Sequence, residues 1–166
     1  MISEWYKDIT RKEAKHGDGH NKLRTYALFK QEWGFESYLT CLDNRDHRVL
    51  LSKFRLGICP LRIETGRYEV TGRNSRGRPE HDRLCQCCTL RKVEDEYHFL
   101  LQCPTYCTRR ARLLQKVQEK LGLSDDILIE ACNVKNSVFT SIMQCDDPSV
   151  INEVEQYLWD AFNIRE

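Results

Sequence analysis

The sequence predicts a small, mainly α-helical domain organised around one metal site, and three observations carry that expectation. Apolar residues recur at helical spacing along most of the chain, and glycines and prolines stand where those stretches should stop or start. Cys85, Cys88, His98 and Cys103 stand at metal-ligand spacing. The 166 residues suffice for one domain with a real core, or a small core plus an appended metal module, but hardly for two independent domains.

Residues 1–20 are polar, and the HGDGH run at 16–20 places two glycines where a loop is expected. This stretch is read as a flexible tail, and His16 and His20 as loop residues, because no third ligand stands near them. A helical region is expected over 21–121 and acidic C-terminal helices over 122–166, packed on the same domain. Asn21 is a suitable N-cap for a first helix through Leu23, Tyr26, Ala27, Phe29 and Lys30 towards Trp33. Phe35, Tyr38 and Leu39 suggest a second short helix. Residues 47–56 give a third, with Leu50, Leu51 and Phe54 on its apolar face and Arg48, Lys53 and Arg55 elsewhere, ending at Gly57. Residues 59–70, bounded by Pro60 and glycines, are expected to be a short extended segment. Residues 71–83, TGRNSRGRPEHDR, lack hydrophobic periodicity and read as an exposed basic loop.

After the cysteine cluster, Glu94, Asp95 and Glu96 place negative charge where a helix N-terminus favours it. Pro104 suits the first turn of a helix running to about Leu121 and stopping at Gly122. Its stripe of Tyr106, Leu113, Leu114, Val117 and Leu121 should face the core, with Arg109, Arg112, Lys116 and Lys120 on a separate stripe. Arg110 falls inside the apolar sector, so it must snorkel or find a carboxylate. Three further helices are expected over 124–132, 136–144 and 148–163. The last would bury Ile151, Val154, Leu158, Ala161 and Phe162, behind the start signal Asp147-Pro148.

No apolar run approaches the roughly 20 residues needed to span a bilayer, so no membrane partner is expected. The start of the chain carries no secretion signal, and an intracellular setting, nucleus or cytoplasm, is expected. There disulfides are rare, so the nine cysteines read as metal and core positions, with Cys41, Cys59, Cys132 and Cys145 as small core residues.

Two cysteines separated by two residues can present both sulfurs from one tight turn, and a histidine and a third cysteine complete a tetrahedron. Cys85, Cys88, His98 and Cys103 are therefore the expected ligands of one structural Zn²⁺, a closed set with no position for a catalytic water. Cys87 in place of Cys88, Cys107, or His81 remain open variants. Five positions along an ideal helix rotate about 140°, so His98 and Cys103 cannot project from one uninterrupted helical face. The helix should end or distort before Cys103, and Pro104 pushes that residue away from helical dihedrals.

The segment CQCCTLRKVEDEYHFLLQCPTY resembles the zinc-binding region at or after the C-terminal end of reverse-transcriptase polyproteins of non-LTR retrotransposons. The likeness lies in a CxxC, an acidic pair (Glu94-Asp95), a histidine followed by apolar residues and a Cys-Pro, and it covers about residues 47–112. It implies the same four ligands and a role in binding RNA or DNA. Arg73, Arg76, Arg78 and Arg83 on the basic loop, with Arg109, Arg112, Lys116 and Lys120, would then follow a phosphate backbone. Tyr68 and Tyr97 would stack on bases if exposed.

Charge along the chain is compatible with this role and with another. Residues 45–92 carry twelve basic against five acidic side chains, and residues 122–166 two against nine. The basic groups could instead pair with the acidic C-terminal helices, leaving a zinc-stabilised protein-interaction domain as the alternative. No enzyme is expected. The aromatic-x-Asp-Asp of a polymerase hairpin and the converging carboxylates of a ribonuclease H are both absent from the sequence.

Overall fold

The computed structural model describes residue 23 and residues 25–30, 34–69, 77–133 and 137–165. The expectations for residues 1–20, Asn21, Trp33, Arg73, Arg76 and the Cys132 side chain lie outside this part. The described chain is mainly helical. Two short helices, α1 (Tyr26–Phe29) and α2 (Tyr38–Cys41), precede α3 (Arg45–Arg55). Asn44 caps α3 by accepting the Asp46 N–H at 2.8 Å, and Gly57 turns the chain away with a φ of 71°.

Arg55 departs from the surface position expected for it. It is buried, its guanidinium lies 4.6 Å from the Phe29 ring centre and 5.2 Å from that of Tyr38, and it donates to the Glu36 carboxylate at 2.7 Å. It also donates to the Met143 carbonyl. A charged side chain thereby joins four segments, held through its terminal nitrogens and π faces by groups that lie far away in sequence, while its Nε has no hydrogen-bond partner among the described residues.

Residues 59–69 are a second correction. They are not extended; α4 (Arg62–Thr65) runs into a 3₁₀ turn, Gly66–Tyr68. The free N–H groups of this short helix meet acceptors from Glu94: Arg62 donates to its carboxylate at 2.8 Å and Ile63 to its carbonyl at 3.0 Å. A hairpin-like turn follows, pinned by the antiparallel bridge between Leu84 and Val93 and by Cys85 N–H donating to the Lys92 carbonyl at 2.9 Å. On its returning arm Arg91 takes a φ of 51°.

A wide π-type turn (His98–Gln102) and a 3₁₀ turn (Pro104–Tyr106) lead into α5 (Cys107–Leu121), which ends at Gly122 with a φ of 64°. Helices α6 (Asp125–Asn133), α7 (Ser137–Gln144) and α8 (Pro148–Arg165) complete the fold. Asp147 starts α8 by accepting the Ser149 N–H at 2.8 Å. α8 packs against α5, α3 and α2, while α1 and α6 pack on α7. Phe99 is fully buried at the centre, its ring 4.7–6.1 Å from those of Phe54, Tyr106, Tyr157 and Phe162. Among the described residues no helix is long and apolar enough to cross a membrane.

Candidate metal centre

The side chains of Cys85, Cys88, His98 and Cys103 converge, with all four ligand atoms within 4.8 Å of one another. They could hold a metal ion. Cys85 and Cys88 come from the hairpin turn, His98 opens the π turn and Cys103 closes it. The Cys85 and Cys103 sulfurs are 3.9 Å apart, and Cys88 Sγ lies 3.5 Å from His98 Nε2. Cys85, His98 and Cys103 are buried and Cys88 is half-buried.

The expected distortion before Cys103 takes a specific form. The Cys103 N–H donates to the His98 carbonyl at 2.8 Å, five residues back, so one wide turn is closed across the two ligands. This brings together side chains that an ordinary helix would separate. Cys103 itself is extended, with φ −62° and ψ 119°, as its position before Pro104 requires. At the other end of the turn, Asp95 accepts the His98 N–H at 2.7 Å.

The turn is braced from α5. Arg110 is buried, as its helical phase demands, yet it finds carbonyls rather than a carboxylate. Its Nε donates to Leu100 O at 2.7 Å and a terminal nitrogen to Cys103 O at 2.6 Å. Arg110 is the side-chain donor that Leu100 O receives, whereas Cys103 O also accepts the Tyr106 N–H of the 3₁₀ turn at 3.3 Å and takes Arg110 as a second, shorter donor.

Glu94 is the second buried support. Fully buried, it accepts from Arg62 N–H, from the Cys85 thiol at 3.5 Å and from both terminal nitrogens of Arg165 at the end of α8. Four elements therefore meet at one carboxylate. Glu94 could be placed in an acidic pair from the sequence, but Arg165 lies 71 residues away and no local pattern connects the two.

The variants left open by spacing are separated by the geometry. Cys87 falls outside the four and belongs to a second group with Cys85 and Glu94. Cys107 and His81 are exposed, and His81 faces Asp82 at 3.7 Å.

Without a metal the thiols share protons. Cys85 is pushed well up by its hydrogen bond with Cys103 and by burial, Cys103 is lowered by the same bond, and burial raises Cys88. An incoming ion must therefore displace protons from Cys85 and Cys88. Metal affinity is expected to fall as pH falls, by about 100-fold per pH unit below neutrality if two protons are released. Competition against a chelator of known affinity across pH 6–8 measures this, and a pH-independent constant would contradict it.

The basic set divides. Arg83 is a correction: it is 5% exposed, donates to the Arg78 and Ile63 carbonyls at 2.8 Å, and packs on Gly66. It is part of the fold and cannot follow a phosphate backbone. Tyr97 is likewise buried, whereas Tyr68 is exposed. Arg78 pairs with Glu69 at 2.7 Å, and Arg112, though 73% exposed, pairs with Glu153 at 2.9 Å. Lys116 pairs with Glu119 at 2.6 Å and Lys120 with Asp147 at 3.5 Å. Arg109 is exposed on the first turns of α5. Sequence reasoning passed over Arg91 and Lys92, which are exposed on the returning arm of the cysteine turn.

No known family, curated protein or solved structure matches this chain.

Proposed function

We propose that this chain is a module stabilised by one structural Zn²⁺, retroelement-derived and non-enzymatic, that binds RNA or DNA beside the metal turn. The observation that supports a four-coordinate ion is the spacing of the ligand atoms. A tetrahedron with Zn–S near 2.3 Å and Zn–N near 2.0 Å has edges of roughly 3.8 Å between sulfurs and roughly 3.5 Å between sulfur and nitrogen. The corresponding separations here are 3.9 and 3.5 Å. Three thiolates and an imidazole suit zinc and fill its coordination shell, which supports a structural role.

The nucleic-acid reading is supported by the motif resemblance and by Arg91, Lys92 and Arg109, exposed on the cysteine turn and on the helix that follows the last ligand. The ion pairs of Arg112 with Glu153 and of Lys120 with Asp147 favour a second reading, in which the acidic C-terminal segment neutralises much of that stripe and the module binds protein. A salt titration separates the two. With about three phosphates neutralised, log K against log salt should have a slope near −2.7 on duplex DNA or near −2 on single strands. Arg91→Gln should reduce the slope by about one phosphate. Zinc-loaded protein that shows no salt-sensitive binding at micromolar concentration would leave the protein-interaction reading in its place.

A further inference from the structure

Beside the four ligands stands a second convergence that shares only Cys85 with them. Cys85 Sγ, Cys87 Sγ and a Glu94 carboxylate oxygen lie within 4.8 Å of one another, so Cys85 belongs to both groups. A sulfur shared between two ligand sets is the arrangement in which a thiolate bridges two ions. Cys87 is held in place rather than loose: its carbonyl accepts the Thr105 hydroxyl, and its side chain is half-buried against the core.

The space these groups face is taken by a cation of the chain itself. One terminal nitrogen of Arg165 contacts Cys87 Sγ at 3.8 Å and also Glu94 Oε1, while the other donates to Glu94 Oε2 at 2.8 Å. Glu94 Oε2 is already engaged by the Arg62 N–H, and Oε1 is the atom that faces Cys85. One sulfur and both carboxylate oxygens of this group thus contact one guanidinium.

We infer that Cys85, Cys87 and Glu94 form a latent second site for a thiophilic divalent cation, and that Arg165 occupies it as a resident cation, limiting the centre to one ion. The inference rests on the zinc reading of the first four ligands. A divalent ion and a guanidinium compete for the same buried negative charge, because a carboxylate without either would be left unpaired in the interior. The end of α8 is therefore what sets the metal stoichiometry of a turn some seventy residues earlier.

The test is metal stoichiometry, read with Co²⁺ through its thiolate charge-transfer bands and with Cd²⁺ by native mass spectrometry. Wild-type protein should saturate at one equivalent even in excess Cd²⁺. Arg165→Met, which keeps the apolar stem and removes the charge, should bind a second equivalent. Arg165→Lys should return the protein to one, and adding Cys87→Ser to Arg165→Met should abolish the second equivalent. A folded Arg165→Met protein that stops at one overturns the inference. So does wild-type protein that tightly binds two, a measurement that stands even if the methionine variant does not fold. Wild-type protein that binds no ion at all would instead remove the zinc reading.

Discussion

His98→Ala is expected to abolish metal binding and to unfold much more than the turn that carries it. Structural zinc contributes about 10 to 16 kcal/mol in finger peptides, whereas a whole domain is stable by only about 5 to 15 kcal/mol. The ligand turn is not an appendage here: Phe99, Leu100 and Leu101, which follow His98, are fully buried, and Phe99 is the ring on which Phe54, Tyr106, Tyr157 and Phe162 converge. Loss of the ion removes the constraint that holds these residues in a wide turn. The protein should lose more than about 5 kcal/mol of stability, comparable to its entire margin. Elemental analysis should find no metal in the variant, and thermal melting followed by circular dichroism should show a broad, early transition or none. Cys88→Ser should behave alike, since a hydroxyl is a far poorer zinc ligand than a thiolate. A metal-free protein that melts as the loaded one does would remove the structural role.

Much of this fold is legible in sequence because its signals are local. The stop at Gly122, the cap at Asp147, the apolar stripe of α5 and the break at Cys103-Pro104 each depend on residues within one or two turns of the feature they set. The four ligands are legible for a related reason: thiols and an imidazole at fixed spacing have few other uses in a polar stretch.

What is not legible depends on distant partners. Residues 59–69 look extended because nothing nearby satisfies the first N–H groups of a short helix; the acceptor is Glu94, some thirty residues on. Arg83 sits among exposed loop residues in sequence, yet two carbonyls recruit its guanidinium to the interior. Arg55 has the phase of a surface residue and the environment of a core one. In all three a polar group is buried because a partner from another segment satisfies it, and periodicity carries no information about such partners. The same limit applies to the basic stripe. Its helical phase is correct, but whether its charge is free depends on Glu153 and Asp147, which α8 brings alongside.

Arg110→Met tests the less obvious half of the metal centre. Methionine keeps an unbranched apolar stem in the buried slot, so the cavity left is small. What disappears are the donors to Leu100 O and Cys103 O, the second of which keeps the Tyr106 N–H at 3.3 Å. A buried acceptor left without a partner costs about 1 to 3 kcal/mol, which is the loss expected at Leu100 O, with a smaller one at Cys103 O. The location of the loss matters more than its size. Cys103 carries both one of those carbonyls and a ligand sulfur, so loosening its backbone should weaken metal binding although no ligand is altered. The expected result is a variant that still takes one ion, but with an affinity lower by about 10- to 100-fold in competition with a chelator. A lysine at this position would supply one donor where two are needed, and so Arg110→Lys should fall between the methionine variant and the wild type. If Arg110→Met lost stability while its metal affinity stayed at the wild-type value, Arg110 would brace the helix packing and the metal turn would be held by its own hydrogen bond alone.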